Sequence, residues 1–176
     1  ANPGKLNYSS SGNGSSTHLA GILFNNTAGV QLVHVPYKGA APATVDLLAG
    51  QIQLRFASVA PMLPHVRAGK LRAIAISCAK RYAPLPDMPT ISESGLPGFD
   101  AVLTYGLVAA AGTPKPIVDK LNAALRGALA TDEVKRRLIQ EGAEPMPTTP
   151  EEHAAIIDRE ETKWSALIKS TGLKAE

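Results

Sequence analysis

The stretch Ser9-Ser10-Ser11-Gly12-Asn13-Gly14-Ser15-Ser16-Thr17-His18 concentrates the groups best suited to chemistry. It joins a predicted strand to a predicted helix. Unpaired amides and the positive dipole end at a helix start favour an anion. Glycines allow close approach of the backbone, and serine hydroxyls add donors. The pattern is not a P-loop, because no lysine follows the second glycine and the GxxxxGK[ST] spacing is missing. Gly12-Asn13-Gly14 lacks the third glycine of a dinucleotide fingerprint, and no G-x-S-x-G elbow presents a nucleophilic serine. Taken alone, the stretch fits a capped Ser/Gly turn as well as it fits an anion cradle.

Two further strand-to-helix junctions shift that balance. Pro36-Tyr37-Lys38-Gly39-Ala40-Ala41-Pro42 follows a second predicted strand, and Ala57-Ser58 follows a third. In an open parallel sheet, the C-terminal strand ends share one edge and ligands bind in the crevice there. The candidate ligand-binding set is therefore Ser11, Gly12, Asn13, Gly14, Ser15, Ser16, His18, Tyr37, Lys38, Gly39, Ala57 and Ser58. Lys38 is either a charge donor to that crevice or an ordinary solvated loop lysine.

Catalytic constellations are thin. The histidines are His18, one turn into a helix, His34 inside a strand, His65 and His153. No H-E-x-x-H or Cys/His ligand spacing occurs, so no metal site and no cofactor are expected. A Ser/His/Asp set would have to recruit Asp46, Asp87 or Asp100 from afar in sequence. Cys78 closes an apolar run and reads as a small buried hydrophobe. No catalytic residue is assigned.

Eight basic residues and one acid, Asp46, lie between Ala1 and Pro86, against ten basic and fourteen acidic residues afterwards. A basic half attracts anions. Nucleic acid is disfavoured, since the charges are scattered and only 5% of residues are aromatic. The 176 residues, 44% hydrophobic, suit one domain or one domain and part of a second, and exclude disorder and coiled coil. No window nears the roughly 18 apolar residues of a membrane span. The opening Ala1-Asn2-Pro3-Gly4 begins in mid-pattern, as a fragment's edge would.

The elements that must hold these loops alternate strand and helix over the first hundred residues. Strands are predicted at Leu6 to Tyr8, Val30 to Tyr37, Ile52 to Phe56 and Leu71 to Cys78, with helices at Ser16 to Ala28, Ala41 to Ala49 and Val59 to Ala68. That rhythm indicates βαβ units and a mainly parallel sheet. The apolar run Ala101 to Ala111 reads as a strand crossing between domains. Helices follow: one opened by Thr113-Pro114 with a stripe of Ile117, Leu121, Leu125 and Leu129, one from Thr131 to Glu141, and one to Thr171 opened by the capping box Thr149-Pro150-Glu151-Glu152. Ala143 to Met146 is a strand candidate. Ile156, Ile157, Trp164, Leu167 and Ile168 are predicted to be buried, with Trp164 a core anchor. These helices have little sheet of their own, so they are expected to dock on a missing N-terminal segment or on another chain. Their stripes favour self-association.

The ordered motifs resemble one family. Tyr8-Ser9-Ser10-Ser11-Gly12-Asn13-Gly14-Ser15-Ser16-Thr17-His18-Leu19, His34-Val35-Pro36-Tyr37-Lys38-Gly39-Ala40-Ala41-Pro42-Ala43, Pro64 to Ala73, Leu85 to Gly98 and Ala111 through Trp164 are similar to the Bug family, the extracytoplasmic solute receptors of tripartite tricarboxylate transporters. The resemblance implies an α/β periplasmic-binding-protein-like fold (type II). One doubly wound, mainly parallel lobe would span residues 1–104, and residues 105–176 would be the C-terminal helical part of a second, incomplete lobe. It implies a periplasmic, non-enzymatic protein that captures a small organic carboxylate for membrane permease subunits, with a signal peptide upstream. The family's ligand loops map onto Ser11 to Ser16, Tyr37 to Gly39, and Ala57-Ser58.

Two positions depart from the family pattern. Phe56-Ala57-Ser58 lacks the acidic or amide pair often found there, so nothing at Ala57 pairs a ligand ammonium; plain di- or tricarboxylates or aromatic acids are expected over amino acids. Thr104-Tyr105 replaces two aromatics. Alternatives remain open: a receptor presenting its ligand to a sensor, a small-molecule enzyme using the Ser/Gly loop as an oxyanion cradle, or a fragment with half a cleft that binds nothing.

Overall fold

A computed structural model describes residues 3–173. In chain order the elements are β1 (Asn7–Ser10), α1 (Ser16–Ala28), β2 (Val33–Pro36), α2 (Ala40–Leu48), β3 (Leu54–Arg55), α3 (Val59–Arg67), α4 (Lys115–Ala130), α5 (Asp132–Gln140) and α6 (Pro150–Thr171). The three strands form one parallel sheet in the order β2-β1-β3. Asn7 pairs with Val33 and Ser10 with Pro36 on one side of β1, and on the other Tyr8 pairs with Leu54 and Ser9 with Arg55.

The register decides which helix covers which face. Side chains alternate along a strand, so Tyr8 and Ser9 face opposite ways. The Tyr8 ring lies so close to α1 that a Cβ on Gly21 would sit 2.1 Å from Cε2. Ser9's partner Arg55 reaches Ala40 and Thr44 of α2. The helices thus lie on opposite faces and the sheet is doubly wound. On the α1 face Phe56 stands edge-on to Tyr8, with ring centres 6.4 Å apart, and Phe24 packs between Phe56 and Phe99.

Helix ends fall where local chemistry sets them. Ser15 caps α1 by accepting from the His18 amide at 3.3 Å, and Gly29 closes it in the left-handed region. Thr131 caps α5 through the Val134 amide. The predicted capping box opens α6: Thr149 N donates to Glu152 Oε2 at 2.8 Å and Glu152 N to Thr149 Oγ1 at 3.2 Å. At α4 the expected Thr113 cap does not form. Thr113 Oγ1 donates back to the Ala110 carbonyl, and the helix starts at Lys115.

The chain divides into two units. One comprises Ala1–Ser58, Met62–Leu103 and Leu167–Glu176, the other Val59–Pro61 and Thr104–Ala166. The first holds the buried hydrophobic residues Tyr8, Ala20, Ala43, Ile52, Ile76, Tyr82, Phe99 and Leu167. In the second, the predicted α4 stripe is on the surface, with Ile117 50%, Leu121 47% and Leu125 38% exposed. Trp164 is half-buried, its indole N–H donating to Glu160 at 2.8 Å with the Lys163 ammonium 4.6 Å from the ring centre. Ile157 is exposed rather than buried.

Three predicted strands are absent. Leu71 to Cys78 contributes only a single bridge, Ile76 to Thr90. Ala101 to Ala111 and Ala143 to Met146 have no ladder, and Tyr105 and Val108 are 83% and 76% exposed. A strand exists only where another backbone supplies hydrogen bonds, and apolar composition does not supply that partner.

Candidate functional site

The three predicted junctions meet at one edge because all three strands are parallel. Strand order reverses around β1, which places the switch point between the ends of β1 and β3. The first two loops are knitted together by backbone: Tyr37 N donates to the Ser10 carbonyl at 3.2 Å and Gly39 N to the Ser11 carbonyl at 3.1 Å. Gly12 sits at φ +138°, where a side chain is strained, and a Cβ there would face the Tyr37 carbonyl at 3.5 Å. Ala57 and Ser58 follow β3 after Phe56. Ser58 is the exposed N-cap of α3 and its hydroxyl caps nothing.

Much of the serine loop's donor capacity is spent inward. Ser11 N donates to Thr17 Oγ1, Gly12 N to Ser10 Oγ, Gly14 N to His18 Nδ1 and Ser15 N to the Gly12 carbonyl. Ser15 Oγ donates to the Gly12 carbonyl at 2.7 Å. The loop is therefore a rigid, self-satisfied coil. The donors it leaves toward the edge are the Ser11 and Ser16 hydroxyls, the Ser16 and Thr17 amides of α1 and the Ala40 and Ala41 amides of α2, which have no intrahelical acceptor.

Beneath the loop lies a histidine pair that sequence reasoning did not join. His18 is buried and stacks on His34 with ring centres 3.6 Å apart and planes 8° apart. Because His18 Nδ1 accepts the Gly14 amide, its proton lies on Nε2 and the ring is neutral. His34 Nε2 lies 2.6 Å from Ser10 Oγ. Burial lowers the pKa of His18, and burial together with the neighbouring His18 lowers that of His34 to about 4. Both rings thus brace the loop in their neutral form. Ser10 is fully buried, so its contact with His34 ties loop to strand rather than presenting a nucleophile.

Tyr37 does not aim its hydroxyl at the edge. It donates to Asp46 Oδ2 at 2.6 Å, and this bond raises the phenol pKa. Lys38 is exposed and forms no ion pair among the described residues. Sequence reasoning passed over Arg55, whose Nη1 donates to the Ala40 carbonyl at 2.8 Å and to Thr44 Oγ1, and whose Nη2 approaches Ser11 Oγ at 3.5 Å. The available signal was a lone cation as the last strand residue before a crevice loop. Among the described residues no group of His, Cys, Asp and Glu is arranged to hold a metal ion, and no helix is long and apolar enough to cross a membrane.

Comparison with known proteins supplies the remaining observations. The family model "Tripartite tricarboxylate transporter family receptor" matches residues 1–173. The "UPF0065 protein in tcbD-tcbE intergenic region" of Pseudomonas sp. (strain P51) is 39% identical over 175 residues, covering 99% of this chain and 52% of that protein. The R. palustris protein Rpa4515 with adipate is 35% identical with a TM-score of 0.85, covering 97% of this chain and 57% of that one. The periplasmic binding protein BugD is 36% identical with a TM-score of 0.82, over 99% of this chain and 59% of that one. The chain thus spans about half the length of curated relatives such as the Pseudomonas protein.

Proposed function

The chain belongs to the tripartite tricarboxylate transporter receptor family, and from that membership we propose that it serves as a periplasmic solute receptor, binding a small organic carboxylate without transforming it and passing it to permease subunits. The observation that carries this reading is the convergence of the β1, β2 and β3 ends on one edge, where outward hydroxyls and helix-start amides favour an anion. Rpa4515, the similar protein with adipate, supports a carboxylate as the ligand class.

The proposed contacts follow from the donors left free. Ser11 and Ser16 donate hydroxyl bonds, and the Ser16 and Thr17 amides of α1 and the Ala40 and Ala41 amides of α2, after the Lys38-Gly39 turn, present the helix starts. Gly12, Asn13, Gly14 and Ser15 give the coil its shape, and His18 acts through Gly14. Lys38 adds long-range attraction. Ala57 and Ser58 offer no carboxylate, which supports di- or tricarboxylates or aromatic acids over amino acids. Residues 1–104 are proposed as the receptor's second lobe and residues 105–176 as the returning portion of the first.

Titration calorimetry with adipate, citrate, benzoate and aspartate, and with a nucleotide as control, tests the reading. Binding of at least one unsubstituted carboxylate in preference to aspartate is expected. Tight binding of the nucleotide with no response to any carboxylate would end it. Ser11→Ala should weaken carboxylate binding by roughly 1.5–3 kcal/mol, the value of one hydrogen bond to a charged group.

A further inference from the structure

Arg55 closes β3 at the switch point. Its guanidinium is anchored on the first turns of α2 through Ala40 and Thr44, while Nη2 lies 3.5 Å from Ser11 Oγ and Nε is buried with no hydrogen-bond partner. Among the described residues no carboxylate pairs with it, and the one acid of the first 86 residues, Asp46, accepts from Tyr37. Burial lowers the Arg55 pKa, so the fold holds a half-buried cation at a cost that no counter-ion among the described residues offsets. A hydroxyl oxygen has one proton and two lone pairs. With the cationic Nη2 3.5 Å from the Ser11 oxygen, the hydroxyl dipole turns its lone pairs toward Arg55 and its proton away, and no protein acceptor among the described residues takes that proton.

We infer that Arg55 is a positioning residue for anion capture, turning the Ser11 O–H outward and strengthening it as a donor to the bound carboxylate. The strengthening is cooperative, since a hydroxyl that accepts from a charged donor is itself a better donor. The same contact ties the serine loop to β3 and α2, so that Arg55 fixes where the donor stands as well as how it points. This inference rests on the carboxylate reading above and adds to it a residue outside the three loops.

The test is a double-mutant cycle of Arg55→Met and Ser11→Ala, with adipate as the probe and Arg55→Lys as the conservative variant, alongside amide exchange of residues 11–18 without ligand. Each single change is expected to weaken adipate binding by about ten- to 150-fold, the range given above for Ser11→Ala. The double variant should be little weaker than either single one, because the two residues act through one bond. Arg55→Lys should recover part of the loss. Wild-type affinity in Arg55→Met, or losses that multiply in the double variant, would overturn the inference. Should Arg55→Met fail to fold, Arg55→Lys enters the cycle in its place with the same criterion. If the wild-type protein ignores adipate, citrate and benzoate alike, it is the carboxylate reading that falls. Loop exchange then decides for Arg55: unchanged protection in Arg55→Met refutes its role, and faster exchange at an unaltered melting temperature supports it.

Discussion

His18 and His34 stack nearly parallel, with ring centres 3.6 Å apart, under the serine loop. One ring comes from the first turn of α1 and the other from β2, so the pair joins helix, strand and loop in a single contact. The contact favours neutral rings: a proton on His18 Nδ1 would remove the acceptor for the Gly14 amide, and burial beside His18 disfavours a charge on His34.

Stability should therefore fall on mild acidification. The folded pKa of both histidines lies below the unfolded value of about 6.5, that of His34 at about 4. The unfolded chain binds the more protons in this window, so the contribution is complete above about pH 6.5 and is lost as the pH drops toward 4. Each histidine contributes at most about 1.4 kcal/mol per pH unit to the slope. Urea titrations at pH 7.5, 6, 5 and 4.5 should show the decline, and His34→Phe should flatten it. A wild-type stability independent of pH across that range would refute the neutral pair.

Gly21 is set by proximity. Any Cβ there would overlap the Tyr8 ring, 2.1 Å from Cε2, and Tyr8 is only 1% exposed with nowhere to move. Gly21→Ala should destabilise the protein by about 1–3 kcal/mol despite Ala being the better helix former. Chemical denaturation measures this, and a stabilised variant would show that α1 is free to shift off the sheet.

Ser9 carries a buried hydroxyl with no hydrogen-bond partner in a residue fully shielded from solvent. Removing an unsatisfied buried polar atom relieves its desolvation cost. Ser9→Ala should leave stability unchanged or raise it by about 1 kcal/mol. A clear loss in a thermal melt would mean that a bound water makes the missing bond.

The start of α6 depends on the reciprocal bonds between Thr149 and Glu152. Thr149→Ala should cost about 1 kcal/mol, and Thr149→Ser should restore most of it. Helical content by circular dichroism and a denaturation midpoint read both effects.

Much of what positions the site could be read from the chain. Ser16–Ala28 forms a helix with the bounds predicted, α5 and α6 begin at their threonine caps, and strand-helix alternation gave a parallel sheet with three loops on one edge. These features arise from interactions among residues a few positions apart, or from a repeating order of elements, both of which a single sequence contains. The His18–His34 stack and the Arg55–Ser11 contact depended on the tertiary structure, because they join residues 16 and 44 positions apart through a sheet register that no local pattern encodes. The same reason explains why Leu71 to Cys78 and Ala101 to Ala111 look like strands and are not. Hydrophobicity is a property of the segment, but a ladder is a property of two backbones placed side by side.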